Sequence, residues 1–253
     1  MKKLLFFIAA LFFLSACGEK DPDIGLVDFS VQFNGVFDNS PLRMYEQTYA
    51  YEDGMDLRFQ LFQFYVSDLS LIRSENNAES TVQLAEIELV SFADIQTPDE
   101  AAEGITLSFE DVPAGNYSGI KMGLGVSADL NATQPGDYAP PHPLDNHYWS
   151  WARGYVFTKV EGNADLDGDG TFEQKLTFHI GENEYYRELV INQAIEVSAG
   201  GKITLEVDLA NVLKNNTGTY LNFREVTQDH TNDPEVANMI SDNLQEAINF
   251  PQQ

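Results

Sequence analysis

Along most of this chain hydrophobic and polar residues alternate with a period of two. Val27, Phe29, Val31 and Phe33 are separated by Asp28, Ser30 and Gln32, which predicts a strand with one buried face. The same reading predicts a long β-rich stretch over Leu57–Leu71. Further strands follow over Val82–Val90, Ile105–Phe109, Tyr117–Val126, Tyr148–Val160, Phe172–Ile180, Arg187–Val197 and Lys202–Val207. A Pro113-Ala114-Gly115-Asn116 turn separates two of them. Strands of this length and spacing predict an all-β fold, a β-sandwich of antiparallel strands, rather than βαβ units. One short C-terminal helix is expected after Asp233-Pro234, where Val236, Met239, Ile240, Leu244 and Ile248 recur at helical spacing. Residues 209–214 read as a single helical turn.

The N-terminus breaks this pattern. Lys2 and Lys3 precede an apolar run from Leu4 to Leu14. That run is too short for a bilayer span, which needs roughly 20 residues, and reads as a secretory signal peptide. Leu14-Ser15-Ala16-Cys17 resembles a bacterial lipobox, so 1–16 is expected to be a lipoprotein signal peptide with Cys17 the lipidated first residue of the mature chain. Cys17 is the one cysteine, so no internal disulfide forms, and lipid attachment gives the thiol a use in an oxidising compartment. Residues 17–25 form a short acidic tether, leaving 26–253 as one domain. The expected location is the outer membrane, anchored through the lipid on Cys17 and facing the periplasm or the cell surface.

Charge narrows the functions available. Forty acidic residues against 14 basic ones give a net charge of −26, a field that repels nucleic acid and attracts cations. Nucleic-acid binding is therefore excluded. Serine-hydrolase GxSxG, zinc-hydrolase HExxH, phosphate-loop and CxxCH haem patterns are all absent from the sequence, and no acid–base pair stands out among the many carboxylates. A non-enzymatic role is expected.

Two stretches carry candidate chemistry. In Asp165-Leu166-Asp167-Gly168-Asp169-Gly170-Thr171-Phe172-Glu173, carboxylates alternate around a glycine, as in the first half of a calcium loop. Leu176 stands where an EF-hand has its bidentate glutamate, so a partial site is expected, using Asp165, Asp167, Asp169, Thr171 and Glu173. A solvated Asp-Gly turn is the competing reading. The second stretch, His142 to Tyr155, holds both tryptophans, Trp149 and Trp151, and two of the four histidines, His142 and His147. In an extended strand His147, Trp149 and Trp151 share a face, giving either a soft-metal or redox site or an aromatic core stripe. Imidazole in an acidic secreted protein suits copper.

The segments FYVSDLSLI, GNYSGIKMGLGV, HPLDNHYWSWARGYVFTKVEG and DLDGDGTFEQKLTFHIG, with the Asn-containing helical tail after His230, resemble the MbnP-like copper-binding protein family over most of the mature chain. The resemblance implies a periplasmic or surface protein that binds copper through histidines and an oxidised tryptophan, kynurenine. The modification is then made by a partner di-haem oxidase of the MauG/cytochrome c peroxidase group. It also implies His179 as a copper ligand and Trp149 or Trp151 as the kynurenine precursor. The second histidine ligand is His147 by its place two residues before Trp149, with His142 and His230 as alternatives. Two functions follow: copper acquisition or handling, or a calcium-stabilised β-sandwich scaffold or adhesion lipoprotein with no copper site.

Overall fold

The computed structural model describes residues 25–75, 78–150 and 153–251. The leader, Cys17 and the tether up to residue 24 lie outside the described residues, as does Trp151.

The alternation that predicts the first strand also sets its packing. In β1 (Leu26–Phe37) the side chains of Phe29, Val31 and Phe33 are almost wholly buried. Strands β2 (Ser40–Pro41), β3 (Tyr49–Ala50), β4 (Asp56–Glu75) and β5 (Ala78–Ser91) follow. Beyond helix α1 (Pro98–Glu103) come β6 (Ile105–Pro113), β7 (Gly115–Tyr117) and β8 (Gly119–Leu124). A short helix α2 (Ala128–Asn131) leads to β9 (Tyr148–Ser150), β10 (Gly154–Asp165) and β11 (Gln174–Gly181). The chain closes with β12 (Arg187–Ile191), β13 (Ile195–Val197), β14 (Gly201–Asp208), α3 (Leu209–Leu213), β15 (Gln228–Asp229), α4 (Pro234–Ala247) and β16 (Ile248–Asn249).

Two sheets face each other. One runs β16-β14-β1 with β6 and β2 also paired to β1; the other runs β12-β8-β4-β10-β11-β15, with β3 and β5 joined to β4 and β9 to β10. Strands β7 and β13 form a separate ribbon. Phe33 of the first sheet meets Phe64 of the second edge to face at 6.1 Å, and Phe37 meets Phe59 at 5.6 Å. Large apolar side chains from both inner faces thus fill the core, the packing expected of a sandwich. Tyr65, next to Phe64 in β4, points to the opposite face. There it joins a smaller apolar cluster with Val126, Leu144, Tyr155 and Phe157, which seats the long connection between β8 and β9 on the outside of the second sheet.

The all-β fold holds, and so do the C-terminal helix and the turn at α3. Asp233 caps α4 by accepting from the Glu235 and Val236 amides, and Val236, Ala237, Ile240 and Leu244 bury its apolar face. Two pairings are parallel rather than antiparallel. β1 runs alongside β14 from Phe29↔Gly201 to Val36↔Asp208, and β11 alongside β15.

Other expectations need correction. The continuous strand Tyr148–Val160 is a hairpin: β9 ends at Ser150 and β10 begins at Gly154, paired antiparallel. His147 lies before β9 in the left-handed region, at φ 58°, so strict alternation does not place it on the face of Trp149. Arg187–Val197 is likewise two strands, and Phe172 precedes β11 rather than belonging to it. The aromatic core stripe is not observed for Trp149, which is half-buried and belongs to neither apolar cluster.

Candidate metal centre

The register of three strands assembles the site. Gln63 of β4 pairs with Lys159 of β10, which pairs with His179 of β11; one step along, Leu61 pairs with Glu161 and Glu161 with Thr177. With a period of two, Lys159 and Glu161 share a face with Thr177 and His179, while Val160, Phe178 and Ile180 turn inward to the core. A patch of charged and imidazole groups therefore lies on the back of an apolar sheet.

His179 is anchored by Glu161, whose Oε1 lies 2.7 Å from Nε2. Burial is the largest influence on His179 and lowers its pKa. The Glu161 hydrogen bond and charge act the other way, and Lys159 and His230 lower it again, leaving it below the ordinary imidazole value. His147 turns its ring edge to Tyr65 and its Nδ1 to the Lys159 ammonium, 2.8 Å away, and to Gln63 Nε2 at 3.4 Å. Burial and the Lys159 charge together push its pKa down to about 4. Both shifts favour the neutral imidazole, the state in which a ring nitrogen offers a lone pair to a metal.

That depression has a consequence for the metal-free protein. Between about pH 6.5 and pH 4 the unfolded chain takes up a proton at His147 and the folded chain does not. The stability this neutral histidine contributes is present above the ordinary histidine value and is lost as pH falls towards about 4. The expected loss is on the order of 2 kcal/mol, discounted for partial exposure. Urea midpoints at pH 7.5 and 4.5 for the wild type and His147→Gln measure it: the variant should show a shallower fall, and parallel curves would refute the assignment.

Trp149 is brought to this patch by the β9 hairpin. A Cβ at Gly181, two residues after His179, would lie 2.5 Å from the Tyr155 carbonyl oxygen and 3.4 Å from Trp149 Cε3, so the close backbone approach of β10 demands the glycine and the indole lies beside it. Arg153 stands 5.1 Å from the ring centre and pairs with Glu182 at 3.2 Å.

His230 arrives from far along the chain. Its ring sits edge to face with His179, with centroids 4.8 Å apart. Sequence pattern alone ranked it behind His147, because nothing local marks a two-residue parallel strand. His142 is placed elsewhere: it stacks on Tyr138 at 4.1 Å, and its Nδ1 accepts from the Leu144 amide, capping a short turn.

The acidic loop between β10 and β11 is separate. Asp165, Asp167 and Asp169 place carboxylate oxygens within 4.8 Å of one another, the one such trio of acidic, histidine or cysteine groups among the described residues; Glu173 is outside it. Asp165 is 1% exposed, and its oxygens accept from the amides of Asp167, Gly168 and Gly170 at 3.2, 2.8 and 2.7 Å. Burial raises its pKa, and these backbone hydrogen bonds more than offset that, holding the carboxyl below its ordinary range. The Thr171 amide donates to Asp169 Oδ1 at 2.7 Å.

A family model described as MbnP matches residues 27–233. Among solved structures, MbnP from Methylosinus trichosporium is similar in fold, with a TM-score of 0.55 at 16% sequence identity, over 83% of this chain and 82% of that one. No curated protein matches the chain.

Proposed function

Because the chain belongs to the MbnP family, we propose that it is a copper-handling protein of the cell envelope, holding copper through His147, His179 and an oxidised Trp149. It acts without catalysis of its own, tethered to the outer membrane by a lipid on Cys17 and exposed to the periplasm or the medium. The observation that carries the reading is the convergence of two imidazoles and the one described tryptophan on a single sheet face.

The residues fit the group. Imidazole nitrogens suit either copper state, and an intact indole is a poor ligand. Cleavage of the indole C2–C3 bond adds two oxygen atoms. A partner di-haem oxidase supplies them from two equivalents of peroxide, each giving up one oxygen atom and leaving as one water. Hydrolysis then releases C2 as formate and leaves an aryl amine that a metal accepts. In this chain Glu161 orients the His179 ring, while Lys159 fills the position beside His147 Nδ1 that a cation takes. Copper analysis of variants co-produced with such an oxidase tests the assignment. His179→Ala and His147→Ala should each lower bound copper at least tenfold, and His142→Ala should leave it unchanged. Full loading of His179→Ala would reject the site.

Calcium is proposed as a structural ion of the Asp165 loop, supported by three carboxylates whose mutual repulsion a divalent ion relieves. Removing calcium with a chelator should lower the melting temperature by several degrees, and Asp167→Asn should abolish that response. A melting temperature indifferent to calcium would leave the loop as a hydrogen-bonded turn.

A further inference from the structure

We propose that His179, His230 and Glu161 form a cation site for a borderline divalent metal such as Zn2+, which operates without any oxidised tryptophan. The site shares His179 with the copper reading but requires neither Trp149 nor His147.

Placement is the first argument. Glu161 and His179 are on neighbouring strands and already in contact at 2.7 Å. His230 is delivered to them by a segment tied down at every step. Gln228 and Asp229 pair with Thr177 and Phe178. The buried Asp229 carboxylate accepts from the amides of Thr231 and Asp233 at 2.9 and 3.0 Å. Asn232, buried and at φ 56°, exchanges two hydrogen bonds with the Gly181 backbone, at 3.0 and 3.2 Å. A side-chain amide thus acts as one more rung of the sheet and fixes the backbone of His230 above His179.

Chemistry is the second. Glu161, His179 and His230 all line a cleft of about 490 Å³, together with Lys175, Thr177 and Gln228. Two imidazoles and a carboxylate are a ligand set for zinc and its neighbours, with further positions left to water. Calcium disfavours imidazole and is served by the acidic loop instead. The three donors do not yet converge within 4.8 Å of one another, so closure needs a rotamer change. The exposed His230 side chain, at the solvent edge of the cleft, supplies it. His147, by contrast, points its Nδ1 at Lys159 and does not line this cleft.

The test uses the full chain made in a host lacking a di-haem oxidase, with intact tryptophans verified by mass spectrometry and calcium present in excess. Zn2+ is titrated by calorimetry. One equivalent should bind; His230→Ala should weaken it at least tenfold and Glu161→Gln several-fold, while His147→Ala and Trp149→Phe leave it unchanged. Absence of zinc binding, or affinity that survives His230→Ala, would overturn the proposal, as would equal losses from His147→Ala. Since the tryptophans are unmodified throughout, failure here leaves the kynurenine reading standing, and failure of that reading leaves this site standing.

Discussion

Trp149→Phe is expected to abolish copper retention while leaving the fold almost intact. The indole is half-buried, lies beside Gly181 with the Arg153 guanidinium over its ring, and is outside both apolar clusters. Phenylalanine keeps an aromatic surface against Gly181 and loses part of the cation–π attraction, a cost of about 1 kcal/mol. It has no pyrrole ring to open, so no aryl amine can form and the metal keeps only its histidines. Copper content after co-production with the oxidase should fall at least tenfold, with the urea midpoint hardly moved. A variant that keeps its copper would show that Trp149 is not the precursor. A variant that unfolds would restore the reading of Trp149 as packing.

Phe64→Ala should do the reverse, removing stability without touching the donors. Phe64 is fully buried, packs edge to face on Phe33 across the two sheets, and lies 5.6 Å from Phe62 in its own strand. Truncation loses the buried ring and leaves a cavity the stiff sheets cannot fill, a cost of about 3–5 kcal/mol. Chemical denaturation reads it directly. A loss under about 1 kcal/mol would mean that the sheets are not packed through this contact.

The contrast between these residues also explains what the sequence discloses. Phe29, Val31 and Phe33 repeat with the period of their strand, so their burial follows from spacing alone. Asp233-Pro234 announces α4 because capping is local chemistry. Thr97 and Glu100 form a capping box ahead of α1 that the sequence contained equally plainly. With Ala101 the one buried residue of that helix, no apolar periodicity draws attention to it. The hairpin between Ser150 and Gly154 was hidden for the opposite reason: β-favouring residues on both sides carry the alternation through a turn that only Gly154 marks. Least legible were the contacts made by distant segments. β1 and β14 lie side by side from opposite ends of the chain. His230 meets His179 through a two-residue strand and the Asn232 amide, and neither has a sequence signature. His147 and Trp149 were recognisable as candidates by residue type, and His179 through the family resemblance. Their common face was not, because it depends on the register Gln63↔Lys159↔His179.

The central claim is that an oxidised Trp149 completes a copper site with His147 and His179. Its most direct test is peptide mass spectrometry of protein purified from its native host, with copper quantified in the same sample. The account predicts a kynurenine mass on Trp149 in the peptide that carries both tryptophans, accompanied by bound copper. Intact Trp149 and no copper, in cells that express the partner oxidase, would contradict it.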